Sequence, residues 1–272
     1  MTMRTVPDFA KMKAEGRKIV SLTAYDYPTA LLEQEAGIDF ILVGDSIAMA
    51  VLGEETTLGV TVDMMLPHVR AVRKGAPETF VVADMPFGSY QASDERAVDS
   101  AVRLVAEGGA DAVKLEGGAP MPLARTAAVI ASGIPVMGHV GLLPQSVRAS
   151  GGYKAVGAGQ AGRVMSEARA LEDAGAFAVV LESVDEGIAR DVTAALSIPT
   201  IGIGAGRFTD GQILVVGDML GMTRGFEPRF LKKYADLGAE AGRALSEYAA
   251  EVRSGAFPEA RHAYAPLREP AE

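Results

Sequence analysis

Four acidic residues lie at the ends of apolar segments that have the composition of buried β-strands. They are Asp45, Asp84, Glu116 and Glu182. Because the carboxyl ends of parallel strands in a barrel open onto one face, these four side chains are expected to share a cavity. Like charges in one cavity repel and raise one another's pKa, so the cluster predicts a bound cation or a proton-transfer role.

The types of residue available predict which cation this is. The chain has no cysteine and three histidines, so a zinc site of the usual nitrogen and sulfur type is poorly supplied. Carboxylates that retain water suit a hard ion such as Mg²⁺ or Mn²⁺. For any single acid, capping the following helix is an equally good interpretation, and Asp45, which precedes Ser46, is such a case.

Two further residue types point to the same cavity. Lys114 and Glu116 are two positions apart in a predicted strand, so both face one way. The lysine could hold a substrate oxyanion while the glutamate holds a metal; the alternative is a buried ion pair. His139 ends another apolar segment and suits hydrogen bonding or proton transfer, with a core histidine as the alternative. His68 and His262 receive no role.

The segment Gly202–Gly206 is rich in glycine and follows a predicted strand. Its spacing is one residue short of the dinucleotide-binding pattern, and the acidic residue that should end the next strand is missing. A tight turn is therefore the favoured interpretation, and a phosphate-binding loop is the alternative.

Composition limits the class of protein. The 272 residues carry a formal charge of −9 and are 49% hydrophobic, which favours a large core and disfavours a nucleic-acid or polybasic membrane binder. No apolar run is long enough to cross a bilayer. The absence of cysteine fits a reducing compartment, so we expect a cytoplasmic protein.

Short apolar segments alternate with helical patterns, and this alternation is typical of a parallel sheet. The predicted strands are Ile19–Ala24, Phe40–Gly44, Phe80–Ala83, Ala112–Leu115, Val136–His139, Ala178–Leu181, Thr200–Ile203 and Ile213–Val216. Predicted helices include Ser93–Glu107, Ala161–Ala174 and Phe230–Ala250. Eight strands favour a (β/α)8 barrel. We expect one domain over residues 1–272, with a short N-terminal extension and an extended tail over about 257–272.

Several runs of residues resemble the ketopantoate hydroxymethyltransferase (3-methyl-2-oxobutanoate hydroxymethyltransferase) family. The runs are Lys18–Asp26, Val43–Ser46, Ala83–Tyr90, Val113–Gly118, Gly138–Gln145, Ile198–Gly206 and Asp210–Gln212. They lie in order and cover the chain from about Lys18 to Tyr234.

The resemblance implies a (β/α)8 barrel of the phosphoenolpyruvate/pyruvate type, a cytoplasmic homodecamer of pantothenate biosynthesis, and one Mg²⁺ per subunit. It implies metal ligands at Asp45, Asp84 and Glu116, substrate contacts from Asp45, Ser46, Asp84, Lys114 and His139, and Glu182 as the proton acceptor. The implied reaction transfers a hydroxymethyl group from 5,10-methylenetetrahydrofolate to 3-methyl-2-oxobutanoate through an enolate that the metal stabilises. Partners would be small molecules, with no nucleic acid and no membrane.

Two other functions remain open at this point. A Mg²⁺-dependent carbon–carbon lyase or phosphomutase of the isocitrate-lyase type would also combine a barrel, a metal and an oxoacid enolate. Such enzymes usually use a catalytic cysteine, which this chain lacks. A non-catalytic binding barrel would be expected to lose part of the acid set, yet all four acids are present.

Overall fold

The computed structural model describes residues 3–223, 225 and 228–264, and its central element is a closed barrel of eight strands in chain order. The strands are β1 Ile19–Thr23, β2 Phe40–Val43, β3 Phe80–Asp84, β4 Ala112–Lys114, β5 Val136–Gly141, β6 Ala178–Glu182, β7 Thr200–Ile203 and β8 Gly211–Leu214. Neighbouring strands are parallel throughout, and β1 pairs with β8 to close the barrel. The predicted (β/α)8 barrel is therefore confirmed.

Helices connect the strands. They are α1 Val6–Ala14, α2 Tyr27–Glu35, α3 Ile47–Ala50, α4 Val62–Gly75, α5 Asp94–Val102, α6 Pro120–Ala131, α7 Val147–Ser150, α8 Ala161–Asp173, α9 Glu186–Ala195, α10 Val216–Met219 and α11 Leu237–Ser254. Short 3₁₀ turns lie at Thr57–Gly59, Pro144–Ser146, Ala158–Gln160 and Ala260–His262, and α5 continues as a π-helical turn over Arg103–Glu107.

Predicted element boundaries agree to within one or two residues in most of the barrel. Ser93 caps α5 as expected, because its hydroxyl accepts from the amide of Arg96 at 3.2 Å. The predicted C-terminal helix over Phe230–Ala250 begins too early. Helix α11 starts at Leu237 because Asp236 caps it, accepting from the Ala239 amide at 3.3 Å.

The N-terminal extension forms α1, and its apolar face packs against residues from the amino-terminal ends of the strands. Phe9 is 2% exposed, and its ring lies edge-on to Phe80 and Phe40 at centroid distances of 5.2 and 5.9 Å. Phe177 completes this aromatic cluster at 6.1 Å from Phe9. The end of the barrel opposite the predicted active site is therefore filled with side chains.

Three aspartates just before strands stabilise the same end of the barrel. Asp39 accepts from the Val20 amide at 3.0 Å and pairs with Arg4, and Asp111 accepts from the Val81 amide at 2.8 Å and pairs with Arg73. Asp210 is the third, and it pairs with Lys13 at 2.8 Å. These acids hold strand starts in place, in contrast to the acids at strand ends.

Contacts divide the described chain into two compact units. The first contains the barrel, up to Val216, and the segment that ends at Leu231. The second contains the chain from Lys232 onward and a shorter segment that begins at Gly217. The predicted tail is described only up to Tyr264, and its remaining residues lie outside the described part of the chain. Among the described residues, no helix is both long and apolar enough to span a membrane.

Candidate active site

Asp45 and Asp84 lie side by side at the carboxyl ends of two neighbouring strands. Asp84 ends β3 and Asp45 follows β2, and the Asp45 amide donates to Oδ2 of Asp84 at 3.0 Å. Both are buried, with 4% and 3% exposure. Gly44 leaves room for the Ser46 side chain, because a Cβ at position 44 would lie 2.6 Å from the Ser46 hydroxyl oxygen. The helix-cap alternative for Asp45 is wrong, because Ser46 is the N-cap residue of α3 and no side chain caps that helix; the Asp45 carboxylate accepts from Gln145 at 2.8 Å.

Lys114 ends β4 and forms a buried ion pair with Asp84. The two residues are register partners across the β3–β4 pair, and Nζ of Lys114 lies 2.8 Å from Oδ1 of Asp84. Burial alone would lower the pKa of Lys114, but the carboxylates of Asp84, Glu116 and Asp45 outweigh it and raise that pKa. The lysine is therefore a fixed positive charge in the cavity.

Glu116 is turned into the same cavity and is held by the segment that follows β5. Its Oε2 accepts from the Gln145 amide at 3.0 Å, and its Oε1 lies 3.9 Å from Nδ1 of His139. Lys114 and Glu116 both face this cavity, as the two-residue spacing predicts. The buried ion pair that was the alternative interpretation is present, but the partner of Lys114 in it is Asp84.

His139 lies in the middle of β5, between Lys114 and Glu182. Its Nδ1 is 3.4 Å from Nζ of Lys114, and its Nε2 is 3.3 Å from Oε2 of Glu182. Burial and then the charge of Lys114 lower the pKa of His139, so the ring is neutral near pH 7. An ammonium group only donates, so Nδ1 accepts and Nε2 carries the hydrogen that faces Glu182.

Glu182 ends β6 and is the most accessible of the four acids, with a side chain that is 22% exposed. The next residue, Ser183, has a φ of 50°, in the left-handed region that serine rarely occupies. The Ser183 carbonyl accepts from the Val156 amide at 2.7 Å, and the Ser183 amide donates to the Ile203 carbonyl at 2.8 Å. These bonds hold a strained residue beside an acid that faces the cavity, as is common at functional sites.

The structure adds residues to which sequence reasoning gave no role. Gln145 donates from Nε2 to Asp45 and to the Met85 carbonyl at 3.0 Å, and its Oε1 accepts from the Tyr90 hydroxyl at 2.7 Å. The signal in the sequence is weak, because a glutamine four residues past a strand has no distinctive spacing.

Tyr25 is the second such residue, and its hydroxyl lies 2.8 Å from the Ser46 hydroxyl. Ser46 is thereby fixed beside Asp45, where it was predicted to act. His68, which received no role, has Nδ1 2.7 Å from the Tyr25 carbonyl oxygen. His68 therefore supports the backbone of the site from helix α4.

The charge balance of the cavity fits a cation. Asp45, Asp84 and Glu116 are all buried, and Lys114 is the one buried lysine beside them in the described part of the chain. Burial and then the neighbouring acid Asp84 raise the pKa of Asp45 to about 7, and burial and Asp45 raise the pKa of Glu116 well above its usual value. A bound cation would relieve this repulsion.

The acidic side chains of the cavity nevertheless do not form a complete metal-binding site by themselves. Among residues 3–223, 225 and 228–264, no group of three acidic, histidine or cysteine side chains is arranged to hold a metal ion by itself. Mg²⁺ is commonly bound by one or two carboxylates, with water and substrate oxygens completing its octahedron. The adjacent pair Asp45 and Asp84 meets that requirement, with Glu116 close enough to the pair to add charge.

The glycine-rich segment Gly202–Gly206 is a tight turn, as favoured. Gly204 and Gly206 have φ values of 65° and 76°. A Cβ at Gly206 would lie 2.4 Å from the side chain of Glu186, so the turn packs closely on the start of α9. An acidic neighbour at this position disfavours the phosphate-binding alternative.

Comparison with known proteins identifies the same family as the sequence resemblance. The family model of ketopantoate hydroxymethyltransferase matches residues 3–260. A 3-methyl-2-oxobutanoate hydroxymethyltransferase of Clostridium botulinum (strain Alaska E43 / Type E3) is 50% identical over 262 residues, which are 96% of this chain and 95% of the relative. One of Citrifermentans bemidjiense is 51% identical over 263 residues, covering 96% of this chain and 98% of the relative.

Solved structures with a similar fold have much lower sequence identity. A phosphonopyruvate hydrolase in complex with oxalate and Mg²⁺ superposes with a TM-score of 0.61 at 16% identity, covering 96% of this chain and 93% of the other. A 2,3-dimethylmalate lyase of the PEP mutase/isocitrate lyase superfamily superposes with a TM-score of 0.61 at 18% identity, covering 92% and 88%. At these identities the likeness establishes the barrel fold and no more.

Proposed function

This chain belongs to the ketopantoate hydroxymethyltransferase family, and on that premise we propose that it transfers a hydroxymethyl group from 5,10-methylenetetrahydrofolate to 3-methyl-2-oxobutanoate. The observation that carries the proposal is the placement of His139 between Lys114, which is paired with a buried acid, and the more exposed Glu182. A base beside a fixed positive charge suits removal of a proton next to a ketone.

Asp45 and Asp84, supported by Glu116, would hold Mg²⁺. When bound, the ion supplies positive charge to the carboxylate and keto oxygens of the oxoacid, where negative charge develops in the enolate. Lys114 and Ser46 would bind the same oxygens from the protein side. Lys114 is suited to this role because three acids keep it protonated.

Glu182 would remove the proton from C3 of the oxoacid. Of the four acids it is the one with a substantially exposed side chain, so a substrate can reach it from the mouth of the barrel. Nε2 of His139 lies 3.3 Å from one carboxylate oxygen of Glu182, which would leave the other oxygen for the substrate. His139 would thus act as a neutral hydrogen-bond donor.

The reaction balances without any oxidation or reduction. The C3–H proton passes to Glu182, and C3 forms a bond to the methylene carbon. The bonds from that carbon to the two folate nitrogens break, water supplies the hydroxyl oxygen, and the nitrogens and Glu182 exchange protons with solvent. The products are 2-dehydropantoate and tetrahydrofolate, which places the enzyme in pantothenate biosynthesis.

Several attributes stay predictions that rest on the family alone. They are the homodecamer, the cytoplasmic location and the preference for Mg²⁺.

The carbon–carbon lyase alternative is disfavoured by the chain's lack of cysteine and by relatives at about 50% identity that carry the transferase name. The solved structures that share the barrel fold at low sequence identity do not distinguish the transferase from the lyase chemistry.

Hydrogen exchange tests the proposal directly. The protein is incubated in D₂O with Mg²⁺ and 3-methyl-2-oxobutanoate, with and without the folate, and loss of the C3–H signal is followed by NMR. Exchange and formation of 2-dehydropantoate on adding the folate are expected. Absence of exchange in both mixtures would overturn the assignment.

A further inference from the structure

A loop lies across the mouth of the barrel, tied at both ends to residues of the candidate site. We call residues 147–155, which begin with the short helix α7, the mouth loop. It begins after Gln145, which donates to Asp45 and Glu116, and it ends before Val156. The Val156 amide donates at 2.7 Å to the carbonyl of Ser183, which is the residue directly after Glu182. The loop must therefore pass close to the opening through which any second substrate enters.

An aromatic side chain on the mouth loop contacts the short helix α3, which follows Asp45. Tyr153 is 49% exposed, and its hydroxyl lies 3.7 Å from the sulfur of Met49 in α3. Helix α3 begins two residues after Asp45. After partial burial, the charges of Glu182, Asp45 and Glu116 raise the pKa of the Tyr153 hydroxyl, consistent with its position beside the site.

The surface around this contact is apolar and uncovered. Met49, Val51 and Leu52 are 41%, 52% and 43% exposed. Exposed apolar side chains in a group mark a binding surface more often than isolated ones do. The mouth loop itself carries Arg148 and Lys154 and no acidic residue, in a chain whose formal charge is −9.

We propose that Tyr153 and Met49 hold the reduced folate, with the folate ring system packed against them and the basic residues of the mouth loop paired with its carboxylates. This inference rests on the proposed function, because the carrier must deliver its methylene carbon next to Glu182. An aromatic ring and a polarizable thioether in contact with each other offer a surface suited to a flat heterocycle. The two carboxylates of the carrier's glutamate match the two cations of the loop.

Titration of the metal-loaded protein with tetrahydrofolate tests the binding role without any turnover. Tyr153→Ala is expected to weaken tetrahydrofolate binding by about tenfold or more, and Tyr153→Phe, which keeps the ring, by less than about threefold. Leu32→Ala removes an apolar side chain that is 64% exposed on α2, and it serves as the matched control. Circular dichroism confirms that each variant is folded.

Two outcomes would overturn the inference. One is tetrahydrofolate affinity in Tyr153→Ala that equals that of the Leu32→Ala control, or no measurable affinity in the wild type. The other is an increase in the KM for 3-methyl-2-oxobutanoate in folate-free C3–H exchange that matches the loss of folate affinity, which would assign Tyr153 to the oxoacid. The exchange assay on wild type judges the proposed function separately, so the two failures are distinguishable.

Discussion

Gln145 donates a hydrogen bond of 2.8 Å from its side-chain amide to the Asp45 carboxylate, across 100 positions of sequence. The same glutamine donates from its backbone amide to Glu116. One residue therefore fixes two of the acids that would surround the metal, and its own orientation is set by the Tyr90 hydroxyl.

Replacement of Gln145 by alanine is expected to reduce Mg²⁺ affinity by about 10–100-fold, the usual effect of losing a residue that orients metal ligands. Isothermal titration calorimetry measures the affinity. Gln160→Ala, at an exposed glutamine, is the matched control. Unchanged affinity in Gln145→Ala would mean that the carboxylates are held well enough by other contacts.

Replacement of Glu182 by glutamine should slow C3–H exchange by about 10²–10⁴-fold, because an amide cannot accept the proton. Mg²⁺ affinity should stay within about twofold of wild type, since Glu182 is not one of the proposed ligands. The contrasting variant is Asp84→Ala, which removes the acceptor for the Asp45 amide and the partner of Lys114 and should lose the metal. Exchange that persists in Glu182→Gln would refute its assignment as the base.

Metal binding should depend on pH through Asp45. Its pKa is raised to about 7 in the metal-free protein, so below that pH a proton occupies the carboxylate that Mg²⁺ requires. Apparent affinity should therefore rise with pH through about 7, with a proton released on binding on the acid side. Calorimetry at pH 6 and 8, in buffers of different ionisation enthalpy, counts the protons. Binding without proton release at pH 6 would contradict this.

Because of Glu33, which lies in α2, the free energy of unfolding should fall as pH rises. It is 4% exposed, neither carboxylate oxygen has a partner among the described residues, and burial followed by the charge of Asp26 raises its pKa to about 8. The folded protein favours the protonated form of Glu33. The contribution of this preference to the free energy of unfolding is therefore fully present below the pKa of Glu33 in the unfolded chain, near 4.5, and is lost as pH rises through about 8.

Glu33→Gln should therefore be more stable than wild type at pH 8 by about 3 kcal/mol and nearly equal to it at pH 5. Urea denaturation at the two pH values measures the difference, and Glu35→Gln, an exposed acid on the same helix, is the control. A difference that does not change with pH would show that the Glu33 carboxyl is not neutral at pH 5.

The amino-acid sequence by itself determined the strands, their number and the acids at their ends. This was possible because a buried parallel strand requires a short apolar run, and a charged residue that ends such a run stands out locally. The (β/α)8 barrel and the predicted site positions from Asp45 to Glu182 follow from patterns that span fewer than ten residues each.

Only the tertiary structure decided how these residues are paired. Closure of the barrel places Lys114 beside Asp84 and His139 beside Glu182, and it brings Gln145 and Tyr153 to residues about 100 positions away. Such contacts depend on strand register and loop path, which no local pattern encodes. The late start of α11 was likewise missed, because an Ala-rich and Glu-rich composition predicts a helix but not the residue that caps it.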